Sequence, residues 1–390
     1  MLENTVTTFV QSKNGGKLSS RRVLYHLPER LFGYDPLVKE VIQTALSPVS
    51  VALCPTPTCV RSCTFCSNTV RNKANCQKKI EIGYRRFTDL IGELVAMDVQ
   101  GVSVAGGGEP LSYNGPIAES LFLGCNLSFK IGIHTNGVLL QKVLAKEVLI
   151  SGNITYFNVS VVAHTPELYE KVCRVSGNQF LQVEKGILEM LELRQTTGSE
   201  IMIGVKILLC RENFESALEI FNYFKGLGVD NILIRCVGNF EPGQDVELSG
   251  EQISRLAHVF RYGLRMSNDQ IDAVTGRGTK ELLPMPSRCW ISALQYTAGV
   301  DPDGEVYLCS QWSRKDYSIG NINQADFPSI WGSTRHKEVA ECLNAKLKSG
   351  QCHPLLCRHY YSNLAIDAFV EGLISSLPKG EQEKGYGRFI

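Results

Sequence analysis

Between residues 50 and 237 the chain alternates short, β-branched apolar runs with longer segments whose apolar residues recur at helical spacing. The runs predict strands at 50–54, 101–105, 129–135, 154–162, 200–209 and 231–237. The segments between them predict helices near 83–97, 115–123, 138–150, 166–173, 180–195 and 214–227. Six strand–helix repeats of about 30 residues imply parallel strands joined by right-handed crossovers, and hence an α/β protein with an open or closed barrel. In such barrels the chemistry gathers where the strands end.

The flanks read differently. Residues 1–48 form a mixed lead-in with a short helix predicted over Leu37–Leu46, and the barrel occupies 49–237. Residues 238–286 are rich in Gly, Pro, Asp and Ser and read as a connector with one helix near 250–266. Residues 287–376 form a cysteine-bearing unit that ends in a helix near 362–376, and 377–390 are a charged, Gly-rich tail. Within 287–376, Val300 to Val306 reads as two strands around the tight turn Asp301-Pro302-Asp303-Gly304.

Alternate residues of a strand share a face. Lys206 interrupts the apolar run Ile203–Leu209, whose outer face helices should cover, so its charge is expected inside the barrel. Leu208 and Cys210 then share its face, and by the same parity Arg235 points inward and Cys236 outward.

Composition narrows the function classes. Apolar residues make up 44% and charged residues 20%, with a formal net charge of +1 and no run of Lys and Arg. No footprint for nucleic acid or an anionic membrane is visible. No apolar stretch reaches 18 residues and no export signal precedes the chain, so a cytoplasmic protein is expected. Fourteen cysteines in spaced groups then fit metal centres in a reducing compartment better than disulfides.

Three of those cysteines fall within eight residues, Cys59-Val60-Arg61-Ser62-Cys63-Thr64-Phe65-Cys66, directly after the first strand. Three thiolates can wrap one corner of a metal cluster, and closed sites normally take four ligands, so one position stays open to a small molecule. A structural zinc knuckle is the plain alternative. The second strand runs into Gly106-Gly107-Gly108-Glu109-Pro110, where glycines permit close backbone approach. The third ends in His134-Thr135-Asn136-Gly137, and the fourth in Asn158-Val159-Ser160-Val161-Val162. Thr165-Pro166 after it suits a helix cap and first position.

Triplet, Gly-Gly-Glu turn and βα repeats, in that order, resemble the radical S-adenosylmethionine (SAM) superfamily and its partial (βα)6 TIM-like barrel. The resemblance implies a SAM-binding 4Fe–4S cluster on Cys59, Cys63 and Cys66, with SAM on its open iron and Phe65 as the aromatic residue before the last ligand. It implies reductive cleavage of SAM to a 5′-deoxyadenosyl radical, with the electron from an external donor such as flavodoxin or ferredoxin. It assigns Gly107, Gly108 and Glu109 to the SAM amino group, Ser160 to the ribose and Arg174 to the SAM carboxylate. Val162 stands where relatives usually carry an aspartate. Asn136 either contacts SAM or substrate or caps the following helix. Lys206 and Arg235 are candidates for neutralising a carboxylate of SAM or substrate. Cys210 is a candidate hydrogen-atom donor or a small buried hydrophobe, and Cys54, Cys76, Cys125, Cys173 and Cys236 read as the latter.

Farther on, Cys289 and Cys309 lie at the two ends of the predicted hairpin, and Cys352 and Cys357 follow in one loop. Four thiolates so placed can ligate one cluster completely, or a structural zinc. Cys-x14-Gly-x4-Cys resembles the SPASM extension of the same superfamily, or its shorter twitch form. With Cys342 as the fifth cysteine of the group, the count implies one auxiliary 4Fe–4S cluster rather than two. Cys342 is a possible substitute ligand, and His353 and His359 are weaker ones. With one auxiliary cluster and a lead-in too short for a peptide-binding domain, the expected substrate is a small polar molecule. A sugar, an aminocyclitol or a related natural-product intermediate would be oxidised or epimerised at a C–H. Maturation of a ribosomal precursor peptide is the alternative, and a non-catalytic metal- or redox-sensing protein a third reading.

Overall fold

The computed structural model describes residues 47–66, 80–115, 127–143, 146–238, 245–263, 285–352 and 357–371 except 358. It also describes the pairs 34–35, 40–41 and 271–272, and residues 117 and 121. Six parallel strands carry the barrel: β1 (Ser50–Leu53), β2 (Gly101–Val104), β3 (Lys130–Thr135), β4 (Ile154–Val161), β5 (Met202–Leu209) and β6 (Asn231–Cys236). They are hydrogen-bonded in chain order, each to the next, with all five pairs parallel. The predicted α/β barrel of parallel strands is therefore what forms.

Helices α1 (Tyr84–Ala96), α2 (Lys146–Ile150), α3 (Pro166–Cys173), α4 (Asn178–Thr197) and α5 (Ala217–Gly226) follow β1, β3, β4 and β5 in the crossovers. They cover one face of the sheet, where Ile203, Val205, Ile207 and Leu209 are fully buried. Burying such a side chain contributes about 1.5–3 kcal/mol, so strand parity here is strongly enforced. The opposite face lines the lumen and carries the polar residues. Thr165 caps α3 as predicted, accepting from the Leu168 N–H with Pro166 at the first position.

Several predicted boundaries need correction. The helix expected over 138–150 breaks into a 3-10 turn, Leu140–Val143, and the short α2. Within the expected Leu37–Leu46 helix, Glu40–Val41 instead pair antiparallel with Tyr34–Asp35, and the rest lies outside the described residues. Most of the expected 115–123 helix, together with Cys76 and Cys125, also lies outside them. The connector holds the expected helix, α6 (Gly250–Gly263), but also adds a strand, β7 (Ile271–Asp272), parallel to β6.

The C-terminal unit opens with α7 (Trp290–Ala293), followed by the predicted hairpin β8 (Thr297–Val300) and β9 (Glu305–Tyr307), then β10 (Gly320–Asn321). The hairpin is not a separate layer. β8 pairs parallel with β1 along its whole length, so one ten-stranded sheet runs β10-β9-β8-β1-β2-β3-β4-β5-β6-β7. Covering β1 removes an unpaired edge from the strand that leads into the cysteine triplet. The short α8 (Phe327–Ile330), then α9 (Thr334–Lys348) and α10 (Tyr360–Val370), complete the unit. On α1, Arg86 donates to the Ile322 carbonyl and pairs with Glu93, which accepts from the Phe327 N–H. Barrel and C-terminal unit are thus joined by strand pairing and by hydrogen bonds from both members of an ion pair on α1.

One lumen glycine has a specific reason. A Cβ on Gly132 would lie 2.2 Å from the Tyr156 ring, which crosses β3 at that point. Gly132→Ala should therefore destabilise the barrel by about 1–3 kcal/mol, the range for overpacking against a ring that cannot retreat. A urea midpoint equal to that of the parent would contradict this packing.

Candidate active site and auxiliary metal centre

The triplet loop leaves β1 at its C-terminal end, starting with the Cys54 N–H bonded to the Val300 carbonyl. It lies across the ends of β2, β3 and β4, held there by backbone and buried ionic groups. The Glu109 N–H donates to the Thr58 carbonyl at 2.7 Å, pinning the glycine turn to the loop. A Cβ on Gly108 would sit 2.3 Å from the Thr58 oxygen and 2.4 Å from the Pro57 carbonyl carbon. The glycine is demanded by the loop itself, a cause the sequence reading did not see. On the other side, the Ser62 and Thr64 N–H groups donate to the Cys173 and Val172 carbonyls at the end of α3.

Two buried charges complete the frame. The Glu109 carboxylate is 1% exposed and accepts from the Thr135 hydroxyl and the Asn136 N–H, both at 2.6 Å, and from the Leu111 N–H at 3.1 Å. Burial pushes its carboxyl above the usual range; those bonds and the Arg61 guanidinium oppose the shift. Arg61, between the first two cysteines, donates to the Ser160 carbonyl at 3.2 Å and to the Asn136 carbonyl. Its guanidinium lies 4.8 Å above the Tyr169 ring. Asn136 serves two ends: its side-chain oxygen accepts from the Val138 N–H at 2.9 Å, and its amide donates to the Cys59 sulfur at 3.6 Å. The Arg61 N–H also reaches that sulfur, at 3.5 Å.

The other predicted residues divide by place. Cys59, Cys63, Cys66, Gly107, Gly108, Glu109 and Asn136 converge at this end of the barrel. Phe65 is buried in the core beneath the loop. Ser160 offers its carbonyl to Arg61, while Arg174 caps α3 in the left-handed conformation with its side chain exposed. Lys206 faces the lumen as parity predicts, its ammonium 3.3 Å from His134 Nδ1, and the Tyr156 hydroxyl is 3.2 Å from His134 Nε2. Arg235 pairs in register with Leu208 on that face. Cys210 is fully buried and its thiol donates to Glu212 at 2.9 Å; Glu212 also accepts from the Thr64 hydroxyl of the loop. Burial, then Glu212, pushes the Cys210 thiol up to about 12. Cys173 is buried as expected, yet it also hydrogen-bonds the Cys63 thiol, whereas Cys54 and Cys236 are only half-buried.

Sequence reasoning missed Arg61, His134, Tyr156 and Glu212. Parity applied to β3 and β4, as it was to β5, places His134 and Tyr156 in the lumen. Arg61 carried a weaker signal, a lone cation between two candidate ligands.

At the other cysteine group, Cys289, Cys309, Cys352 and Cys357 line one cavity with Trp312 and Tyr360. Cys342 is exposed on α9 and is not among the residues that line it. His353 lies outside the described residues. His359 contributes its backbone N–H to the Cys357 sulfur. The Cys309 sulfur receives the backbone N–H groups of Gln311 and Trp312, and the Cys289 sulfur lies 3.3 Å from the Ser292 hydroxyl. Burial pushes the Cys309 thiol up to about 11, a cost that a bound cationic metal reverses.

Four thiols lining one cavity suit a closed iron–sulfur cluster; three on one loop suit a cluster with an open iron. A parallel-strand barrel carrying both cysteine groups is the architecture of an iron–sulfur protein. Residues 53–249 match the radical SAM superfamily, and residues 289–358 match the SPASM iron–sulfur cluster-binding domain. The chain belongs to the radical SAM superfamily and carries a C-terminal SPASM domain. Its cofactors are SAM, the 4Fe–4S cluster that binds SAM, and an auxiliary iron–sulfur cluster.

Among curated proteins, the chain is 25% identical over 227 residues to the tungsten-containing aldehyde ferredoxin oxidoreductase cofactor-modifying protein of Pyrococcus furiosus. That match covers 53% of this chain and 60% of the relative, so it spans less than two thirds of the relative's length. Among solved structures, Streptococcus suis SuiB bound to the precursor peptide SuiA superposes with a TM-score of 0.57 at 14% identity, covering 80% of this chain and 72% of SuiB. Native anSMEcpe with bound AdoMet gives 0.55 at 16% identity, covering 84% and 98%. No helix among the described residues is long and apolar enough to cross a membrane.

Two outcomes test the site. Arg61→Lys retains the charge but loses the planar fork that reaches two carbonyls, and should weaken the loop by about 1–3 kcal/mol. Iron then leaks from the SAM-binding cluster during gel filtration; parent-like retention would contradict the role given to Arg61. In the auxiliary unit, Cys352→Ala should lower the iron content by about half and Cys342→Ala should leave it unchanged. The reverse pattern would reassign the ligands.

Proposed function

We propose that this enzyme abstracts hydrogen from a C–H of a peptide side chain held in the barrel lumen, as a maturase of a peptide or protein substrate. When bound, the cluster and SAM supply the 5′-deoxyadenosyl radical that takes the hydrogen. The observation that carries the reading is that barrel and SPASM domain together superpose on SuiB and anSMEcpe. Both have been solved with a bound peptide: SuiA in the first, Cp18Cys and Kp18Cys in the second. A low-potential flavodoxin or ferredoxin would supply the electron.

In this proposal the chain's own groups bind, orient and exclude. Gly107 would lie at the SAM amino group while Gly108 and the buried Glu109 hold the turn against the triplet loop, Asn136 would orient the Cys59 ligand, and Ser160 and Arg174 would lie nearest ribose and carboxylate. Lys206, with His134 and Tyr156 behind it, presents a cation and a hydrogen-bonded chain to the substrate, and Arg235 adds a second cation. Hydrogen donation by Cys210 requires its thiol to leave Glu212; bracing the loop requires nothing further.

A second reading keeps a small polar molecule as substrate. It is favoured by the Lys206–His134–Tyr156 chain, which suits a compact polar ligand, and by the Pyrococcus relative's designation as cofactor-modifying.

Anaerobically reconstituted protein with dithionite and SAM, offered short peptides in one series and sugars and aminocyclitols in another, separates the two. Stoichiometric 5′-deoxyadenosine with a mass change on a peptide is expected. The same coupling to a sugar or aminocyclitol, with peptides unchanged, would overturn the peptide reading. Lys206→Met should slow substrate turnover by about 10²-fold through misplacement, while substrate-free SAM cleavage continues. Equal turnover in that variant would remove Lys206 from the site.

A further inference from the structure

In the auxiliary cavity, three cysteine sulfurs find their hydrogen-bond donors close by in the chain. Cys289 has the backbone of Ser292, Cys309 has the backbone of Gln311 and Trp312, and Cys357 has the backbone of His359. For Cys352 the cavity wall offers the side chain of Trp312, some forty residues earlier.

The Trp312 indole nitrogen is shut off from solvent and has no hydrogen-bond partner of ordinary length among the described residues. Leaving a buried N–H unsatisfied is costly, so a donor kept this way calls for an acceptor. The ring itself lines the cavity beside the four cysteines. It is also held from several sides. Lys346 Nζ lies 5.1 Å from its centroid, the Arg314 guanidinium 5.6 Å, and the Tyr317 ring packs at 5.3 Å. Lys346 is itself anchored to Gln351, the residue before Cys352, at 2.7 Å. An indole fixed by two cations and an aromatic ring, on the wall of a thiol-lined cavity, is positioned rather than merely packed.

We propose that the Trp312 N–H is a dedicated hydrogen-bond donor to the sulfur of the auxiliary cluster at Cys352, and that it sets the reduction potential of that cluster. A donor on a cluster sulfur stabilises the extra negative charge of the reduced form more than the oxidised form, so the potential rises. Lys346 and Arg314 act in the same direction through their charge. A cluster poised higher accepts an electron more readily, which matters wherever the auxiliary centre takes the electron left after hydrogen abstraction. The inference concerns the auxiliary cluster alone and holds whether the substrate is a peptide or a small molecule.

The test uses the full-length reconstituted protein and no substrate. The variants are Trp312→Phe and a chain with 3-benzothienylalanine at position 312, which keeps the bicyclic ring and its cation contacts but replaces N–H by sulfur. An electron paramagnetic resonance redox titration should show the auxiliary cluster shifted to a more negative midpoint in the benzothienyl protein, with iron content unchanged. The reduced auxiliary cluster of the parent should carry a strongly coupled exchangeable proton that the benzothienyl protein lacks. An unchanged or raised midpoint with full iron overturns the proposal. Loss of the auxiliary irons from the benzothienyl protein overturns it too, because the N–H would then be needed for assembly rather than tuning. Trp312→Phe, which alters packing as well, should shift the midpoint in the same direction; iron loss there alone counts against nothing in the benzothienyl result, which decides.

Discussion

The backbone N–H and carbonyl of Asn136 are each held by a buried ion, and the geometry of the triplet loop depends on that grip. Glu109, from the end of β2, takes its N–H; Arg61, from within the loop, takes its carbonyl. The two charges also neutralise each other at longer range. In a low-dielectric interior such a network is worth holding only when every member is satisfied, and removing one member strands the rest. The loop, the glycine turn and the ends of β3 and β4 therefore behave as one piece. The three thiols are presented by a rigid frame, although the segment that carries them has no regular secondary structure.

The auxiliary centre is tied to the same frame. Because β8 pairs with β1, the strand that launches the triplet also carries the hairpin that ends in Cys309. The spacing between the two sites is thus set by a sheet rather than by a linker. Arg86 and Glu93 on α1 add a second attachment through hydrogen bonds to Ile322 and Phe327, so a rotation of the C-terminal unit would break strand pairing and these charge-assisted bonds together.

Much of this was legible in the sequence for plain reasons. Period-two burial is strict in parallel strands covered by helices, so strand positions and the inward faces of Lys206 and Arg235 could be read directly. The cysteine spacings carried both metal sites, and the hairpin turn at Asp301–Gly304 carried its own signature. What could not be read was long-range. The parallel pairing of β8 with β1 joins residues almost 250 positions apart, and no local pattern encodes it. The break of the 138–150 helix into two short pieces likewise follows from tertiary packing. Gly108 was read correctly as a close-approach position but for a different neighbour, the loop backbone rather than a ligand. Arg61 and Trp312 are single residues whose meaning lies in partners that only the fold assembles.

The most direct measurement is an iron and sulfide count on anaerobically reconstituted full-length protein, followed by addition of dithionite and SAM. The account predicts about eight irons per chain, as two 4Fe–4S clusters require, together with 5′-deoxyadenosine. Tightly bound zinc in place of iron, with SAM left intact, would contradict it.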